Sequence, residues 1–414
     1  DPEGGFQMLV AARTYDAHLG HIGIGRIGRG RVHTNDSVVR ISRDGEVQPY
    51  KVAKVYVFEG LGRKEVDEAE AGEIVAINLS GAEDIAISDT LASASQPEAL
   101  PAIDIGEPTV QMTFGVNTSP FAGQDGKFVT SRQLRARLYS ELKTNVGLRV
   151  ADTDSPDVLL VSGRGELHLA ILVETMRREG YEFQVSKPQA IVKLVDDVKV
   201  EPYEKLTLDI DDTVIGALTE ELSSRLAQMQ DMHNNGQGEV RIEFKIPTRG
   251  LIGFRSFFLK ATRGNGVINT EFIGYEPHQG MLESTRNGVL VAAETGTAVI
   301  YGLNNAQQRG STFVDASTPV YEGMVVGSYT REDDIVVNVC KMKQLTNVRS
   351  SSSDMSIKLT PPVRMSLEEC LDFIAEDEVV EVTPKNIRLR KRILNNDERH
   401  RLDRDKHKVR VTSQ

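Results

Sequence analysis

Val158-Leu159-Leu160-Val161-Ser162-Gly163-Arg164-Gly165-Glu166-Leu167-His168-Leu169 is the stretch whose reading decides the fold. The apolar run 158–161 reads as a buried strand. Gly163 and Gly165 then permit a tight turn that a side chain would resist. After them Leu169, Leu172, Val173 and Met176 recur at helical spacing, and Gly180 supplies a stop. The piece is strand, glycine turn, helix. Two uses of such a turn stand open. Arg164 beside a helix N-terminus can hold a phosphate, or the glycines simply let helix and sheet approach closely.

Working outward, the flanking residues complete a βαββαβ unit over 107–188. A strand at 110–116 precedes a loop holding Gly123-Gln124-Asp125-Gly126. A helix capped near Thr130 or Ser131 follows, with Leu134, Leu138 and Leu142 as its inner stripe and Gly147 as its end. Strands at 148–151 and 158–162 lead into the motif helix, and Tyr181, Phe183 and Val185 alternate as the last strand. Residues 189–277 repeat the plan in architecture, hardly in sequence. A strand at 203–210 leads to a helix from near Thr213, with Leu218, Leu222, Leu226 and Met229 on one face. Asn235-Gly236 signals a hairpin. Val240, Ile242, Phe244 and Ile246 then alternate, a turn spans 247–253, a helix 254–261 and a final strand 267–273.

Residues 1–96 read as all-β, with short runs at 7–13, 37–42, 50–58 and 74–78 between turn residues. A closed barrel buries such strands without exposed edges. Inside it, Gly23-Ile24-Gly25-Arg26-Ile27-Gly28 fits G-x-G-x-x-G, but turn and strand residues follow where a dinucleotide site needs a helix. A strand with backbone bends is the better reading. His18 and His21 sit three apart without a third ligand, which favours surface or packing roles over metal. Pro97, Pro101 and Pro108 mark a linker. Residues 278–414 form a mostly-β domain with strands at 289–293, 297–301, 325–329 and 335–339, then a polar loop with four consecutive serines at 350–353. Ser366 and Glu369 make a capping box whose helix turns Leu367, Cys370, Leu371 and Ile374 inward. The fold class is multidomain β and α+β: an N-terminal β-barrel, two ferredoxin-like βαββαβ modules and a mostly-β C-terminal domain.

Composition sets bounds. At 414 residues, two to four domains are expected. Apolar content of 39% and charged content of 26% are ordinary for a globular protein. No apolar run approaches a membrane span, and no signal-peptide pattern opens the chain. Cys340 and Cys370 alone suggest a reducing compartment, hence the cytoplasm. The net charge of −11 hides an asymmetry. Eleven Lys/Arg face four acids over 385–410, a balance of +7 that leaves −18 on the rest. This is either a basic interaction tail on an acidic body or a solvated, partly disordered tail. No nucleophile–base pair or metal cluster has useful spacing, so no catalytic or metal residue is assigned.

Ser162-Gly163-Arg164-Gly165-Glu166-Leu167-His168-Leu169 also resembles the S-G-x-G-E-L-H-L motif in the third domain of elongation factor G and the related large translational GTPases. The order of barrel, motif-bearing module and second module ending near Tyr275-Glu276-Pro277 resembles that factor too. Elongation factor G has an inserted domain between the modules, whereas Lys187-Pro188 here leads directly into the next strand. The run 341–360 and the basic tail are similar to the C-terminal domain of the BipA/TypA family rather than to that of LepA. The resemblance covers essentially all of the chain.

The resemblance implies ribosome binding in the intersubunit space, with rRNA, ribosomal proteins and the A-site tRNA as partners, in ribosome function, assembly or stress adaptation. It implies no membrane and a monomer away from the ribosome. The RNA-facing residues it suggests are Lys341, Lys343, Arg349 and Lys358 in the loop and Arg388, Arg390, Lys391 and Arg392 in the tail. Arg164 and Arg263, beside glycine turns, are further candidates. Each single charge is equally a solvated surface residue. The family hydrolyses GTP, with Mg²⁺, in a domain that precedes the barrel; this chain has neither G-x-x-x-x-G-K-[S/T] nor Asn-Lys-x-Asp. Gly126-Lys127 comes nearest, but Phe128 holds the Mg²⁺-ligand position. The expectation is a ribosome-binding portion without a cofactor of its own. A protein-only scaffold, pairing acidic body with basic tail between subunits, is the alternative.

Overall fold

The structure, a computed structural model, describes all residues except 1, 17, 61, 83, 84, 104, 105, 281, 283–285, 343–357, 403 and 405–414. The chain divides into two compact units, residues 1–107 with 136–149, and residues 108–135 with 150–414.

In the first unit six antiparallel strands close a ring. In order around it they are Gln7–Leu9, Thr90–Ser93, Ser37–Ile41, Val47–Glu59, Ile74–Leu79 and Gly20–Arg29, the last pairing back to the first. Met8, Ile27, Val55, Val75, Ile77 and Leu91 fill the interior, and closure leaves the ring no free edge to manage. The G-x-G-x-x-G run lies within the Gly20–Arg29 strand. A Cβ at Gly25 would sit 2.1 Å from the Leu9 carbonyl oxygen, and one at Gly23 would sit 3.2 Å from Val10 Cγ2. Gly25 lets its strand lie against the Leu9 backbone, and Gly23 makes room for the Val10 side chain.

Along the chain, Val110–Gly115, Ser131–Glu141, Arg149–Asp152, Val158–Gly163, Glu166–Arg178 and Phe183–Ser186 follow one another as βαββαβ. The spatial strand order is fourth, first, third, second. Val198–Asp211, Ile215–Ser224, Gln228–Asn234, Glu239–Pro247, Phe254–Ala261 and Val267–Pro277 repeat both the sequence of elements and that order. The Ile215–Ser224 helix is shorter than the apolar spacing suggests. Arg225 at its end donates to the carbonyls of Gly250 (3.0 Å) and Ile252 (2.8 Å), tying the chain into a turn. Leu226 takes a φ of +64°, and Met229 lies exposed on an edge strand.

The sheet of the first module does not stop at its own fourth strand. Phe183–Ser186 pairs with Glu378–Val382, which pairs with Ile387–Lys391, and the series runs on through Met324–Tyr329, Val289–Ala292 and Ile335–Val337. Eleven strands make one continuous sheet. The expected strand at 297–301 is corrected. Gly296–Thr297 is a short strand, and Ile300–Gln307 is a helix that buries Leu303 and Ala306. A Cβ at Gly302 would lie 2.3 Å from the Val339 carbonyl oxygen, so the helix packs flush on the chain beneath it. The capping box at Ser366 and Glu369 is present in full, and Cys370 is buried.

Candidate nucleic-acid interface

The glycine turn separates the two uses open to it. A Cβ at Gly163 would meet Leu169 Cδ2 at 3.0 Å and His168 Nδ1 at 3.1 Å, so this glycine exists for close packing of strand and helix. His168 Nδ1 accepts the Arg164 N–H at 3.3 Å. The first turn of the helix carries Glu166, whose side chain accepts the Gly253 N–H at 2.9 Å. The Arg164 side chain is exposed at the rim of a cleft of about 250 Å³ that Glu166, Glu204, Thr248 and Phe254 also line.

The Gly123–Gly126 loop is equally closed to phosphate. Its amides at 123, 125 and 126 donate to the Glu182 carboxylate at 2.7, 3.3 and 2.8 Å. A backbone cradle suited to an anion is filled by the protein's own side chain. These residues do not fit a nucleotide phosphate.

The tail residues are corrected most. Residues 388, 390 and 391 lie in the Ile387–Lys391 strand, at the centre of the continuous sheet. Arg390 and Lys391 are 1% and 2% exposed. Lys391 Nζ lies 2.8 Å from Asp377 and 2.8 Å from Glu378, and also pairs with Asp334. These carboxylates push its pKa up to about 12, against the pull of burial. Glu378, fully buried, also takes Arg286 at 2.6 and 3.1 Å, and these cations hold its carboxyl below the usual range. Arg390 donates to Thr118 Oγ1 (2.8 Å) and to Gln184 in the first module. Arg388 donates to Glu381 at 2.9 Å and lies over the Phe121 ring. A charge taken out of water must be paired or hydrogen-bonded, and these are. Arg390 and Lys391 therefore present no charge to a polyanion, and Arg388 is committed to the seam.

Glu381 organises that seam. It accepts from Asn117 (3.0 Å), Ser119 (2.9 Å), Arg388 (2.9 Å) and the Tyr321 hydroxyl (2.6 Å), which joins the first module to residues 321–388 through one carboxylate. Asp125 accepts from Thr383 (3.0 Å) and Asn386 (2.8 Å). The Asn386 amide, more than any other neighbour, holds its carboxyl below the usual range. Neither Glu381 nor Asp125 stands out in the sequence. The nearest signal is alternation: Glu378-Val379-Val380-Glu381 faces Arg388-Leu389-Arg390-Lys391 across the turn 383–386.

The remaining candidates reach solvent. Lys341 and Lys358 are exposed on either side of 343–357; Lys343 and Arg349 lie outside the described residues. Arg392 is exposed, with one guanidinium N–H on the Glu376 carbonyl at 3.1 Å. Arg263 is exposed in the left-handed turn (φ +52°) that ends the Phe254–Ala261 helix. Lys341 and Lys358 are thus exposed, whereas the strand cations Arg390 and Lys391 are buried. Among the described residues no helix is long and apolar enough to cross a membrane.

A closed six-strand barrel, two βαββαβ modules of identical strand order and an acid–base seam define a multidomain assembly of the translation-factor kind. Residues 5–94 match elongation factor G domain 2, 198–286 match the elongation factor G C-terminus, and 287–396 match the TypA/BipA C-terminal domain. The large ribosomal subunit assembly factor BipA of Bacillus subtilis is 48% identical over 401 residues, 97% of this chain and 65% of the relative. Proteins of the same name from Synechocystis and Escherichia coli K12 are 51% and 46% identical over 94% and 98% of this chain. The chain spans 65% and 66% of those two relatives' length. The chain belongs to the BipA/TypA family.

Proposed function

We propose that this chain is the ribosome- and RNA-binding part of a BipA/TypA-type GTPase that acts on the large ribosomal subunit during its assembly, in the cytoplasm. Similarity of 46–51% across nearly the whole chain to relatives named large ribosomal subunit assembly factors carries this reading. On this reading GTP and Mg²⁺ belong to a part of such a protein outside these 414 residues, and the A-site tRNA is met by the 341–358 loop. Exposed Lys341 and Lys358 at the loop's two ends support that assignment. Against the scaffold alternative, the acids at 378 and 381 are paired within one chain to residues 391 and 388.

Lys and Arg that neutralise phosphates release counterions, so affinity falls steeply with salt. The test is co-sedimentation with large ribosomal subunits over a salt series. Replacing Lys341, Lys343, Arg349 and Lys358 with Ala is expected to reduce the log–log salt slope by roughly 0.7–0.9 for each phosphate no longer neutralised. An unchanged slope with intact folding rejects the loop as a phosphate-binding element.

A further inference from the structure

Three segments distant in sequence meet at Glu166: the glycine turn and its helix, residues 248–256 of the second module, and the Leu367–Phe373 helix. Gly253 is the point of contact. Its N–H donates to Glu166 Oε2 at 2.9 Å, and its φ is +77°. A Cβ there would lie 3.5 Å from Cβ and Cγ of Asp372. Asp372 in turn accepts from Ser256 Oγ.

The charges around Glu166 are unbalanced. Asp372 and Glu368 face the junction from the C-terminal helix, and Glu204 from the central strand of the second module. The cations are Arg225, Arg255 and Arg164. Arg225 is already engaged by Glu221 (2.7 Å) and two carbonyls, and Arg164 is exposed. Among the described residues no ion pair reaches Glu166, whose one hydrogen bond comes from Gly253. Loss of hydration first, and the facing Asp372 second, push its pKa up to about 8. Asp372 and Glu204 are raised as well, chiefly by burial. The neighbouring cleft of about 250 Å³ gives the carboxyl a route by which a proton exchanges with water.

We propose that Glu166 is a proton-operated fastener: neutral, it lets the glycine turn, the second module and the C-terminal helix close on one another, and ionised, it sets a negative charge against Asp372 and Glu204 and loosens all three. No bond other than the O–H changes, and the proton leaves to solvent. The sign follows from linkage. An acid whose pKa is raised on folding contributes stability at low pH that is lost as pH rises from its unfolded value toward its folded one.

The test compares the 414-residue chain with its Glu166→Gln variant by thermal melting from about pH 5 to about pH 9. Gln keeps the acceptor for Gly253 and mimics the neutral acid. The two should melt together at the acid end, and the variant should melt higher at the alkaline end. Amide exchange over 253–256 and 367–373 should accelerate with pH beyond its intrinsic rise in wild type only. Parallel melting profiles overturn the proposal. Asp372→Asn is the second arm: with the facing charge gone, the wild-type loss of stability should finish at lower pH. A profile unmoved by that change also overturns it.

Discussion

Replacing Lys391 with Met asks whether the strand cations belong to the fold or to a ligand. Met keeps an unbranched apolar stem and removes the charge. Lys391 is 2% exposed and lies 2.8 Å from both Asp377 and Glu378. Its loss leaves Glu378 with Arg286, at 2.6 and 3.1 Å, and with the Ala375 N–H at 2.9 Å. Asp377 and Asp334, with side chains 57% and 38% exposed, recover water instead. The cost should therefore fall at the low end of the range for breaking a buried ion pair, about 3 kcal/mol. At 2–4 °C per kcal/mol for a large domain, that is a drop in Tm of roughly 6–12 °C. Urea unfolding and calorimetry measure it, and sedimentation with ribosomal subunits below both melting temperatures measures binding. Adding Glu378→Gln should restore part of the loss, because an amide requires no counter-charge. Because the Lys391 pKa is raised to about 12, its contribution is fully present below the ordinary lysine value and is lost as pH climbs toward 12, so wild type and variant should converge there. An unchanged Tm together with weakened ribosome binding would refute the reasoning.

Gly253→Ala should cost about 1–3 kcal/mol in urea unfolding, because its φ of +77° is strained for any side chain; an unaltered midpoint would mean the backbone there relaxes freely. Asp125→Asn should cost about 1 kcal/mol near neutral pH through the bonds to Thr383 and Asn386. Its carboxyl is held low, so this contribution is present above the ordinary aspartate range and disappears as pH falls through the folded value. The stability difference from wild type should accordingly narrow under acid, and a difference that is constant with pH contradicts the assignment.

The local elements were legible where periodicity is strong. Phe183 and Val185 alternate as a strand should, Asn235-Gly236 is a turn, and Ser366 with Glu369 caps a helix as written. What resists reading is any structure set by partners far along the chain. Leu218, Leu222, Leu226 and Met229 keep helical spacing, yet Arg225 ends the helix by reaching Gly250 and Ile252. Thr297 to Tyr301 looks like a strand until Gly302 shows a helix lying flush on Val339. The basic stretch suggests an RNA-facing tail because its counter-charges are invisible as such. Glu378 and Glu381 are apparent partners only once the 383–386 turn folds residues 387–391 back on them. Glu166 sits inside the motif, but Gly253 and Asp372, which give it chemistry, lie far downstream.

The shared sheet has a consequence during synthesis. Phe183–Ser186 finds its outer neighbour in Glu378–Val382, nearly two hundred residues later in the message. At roughly 5–20 residues per second, that edge waits about ten to forty seconds for its mate while the entire second module emerges in between. A nascent chain halted in that interval exposes bare strand backbone, the surface that invites a neighbouring polypeptide to join. The tempo of translation is thereby part of how this architecture reaches its native pairing.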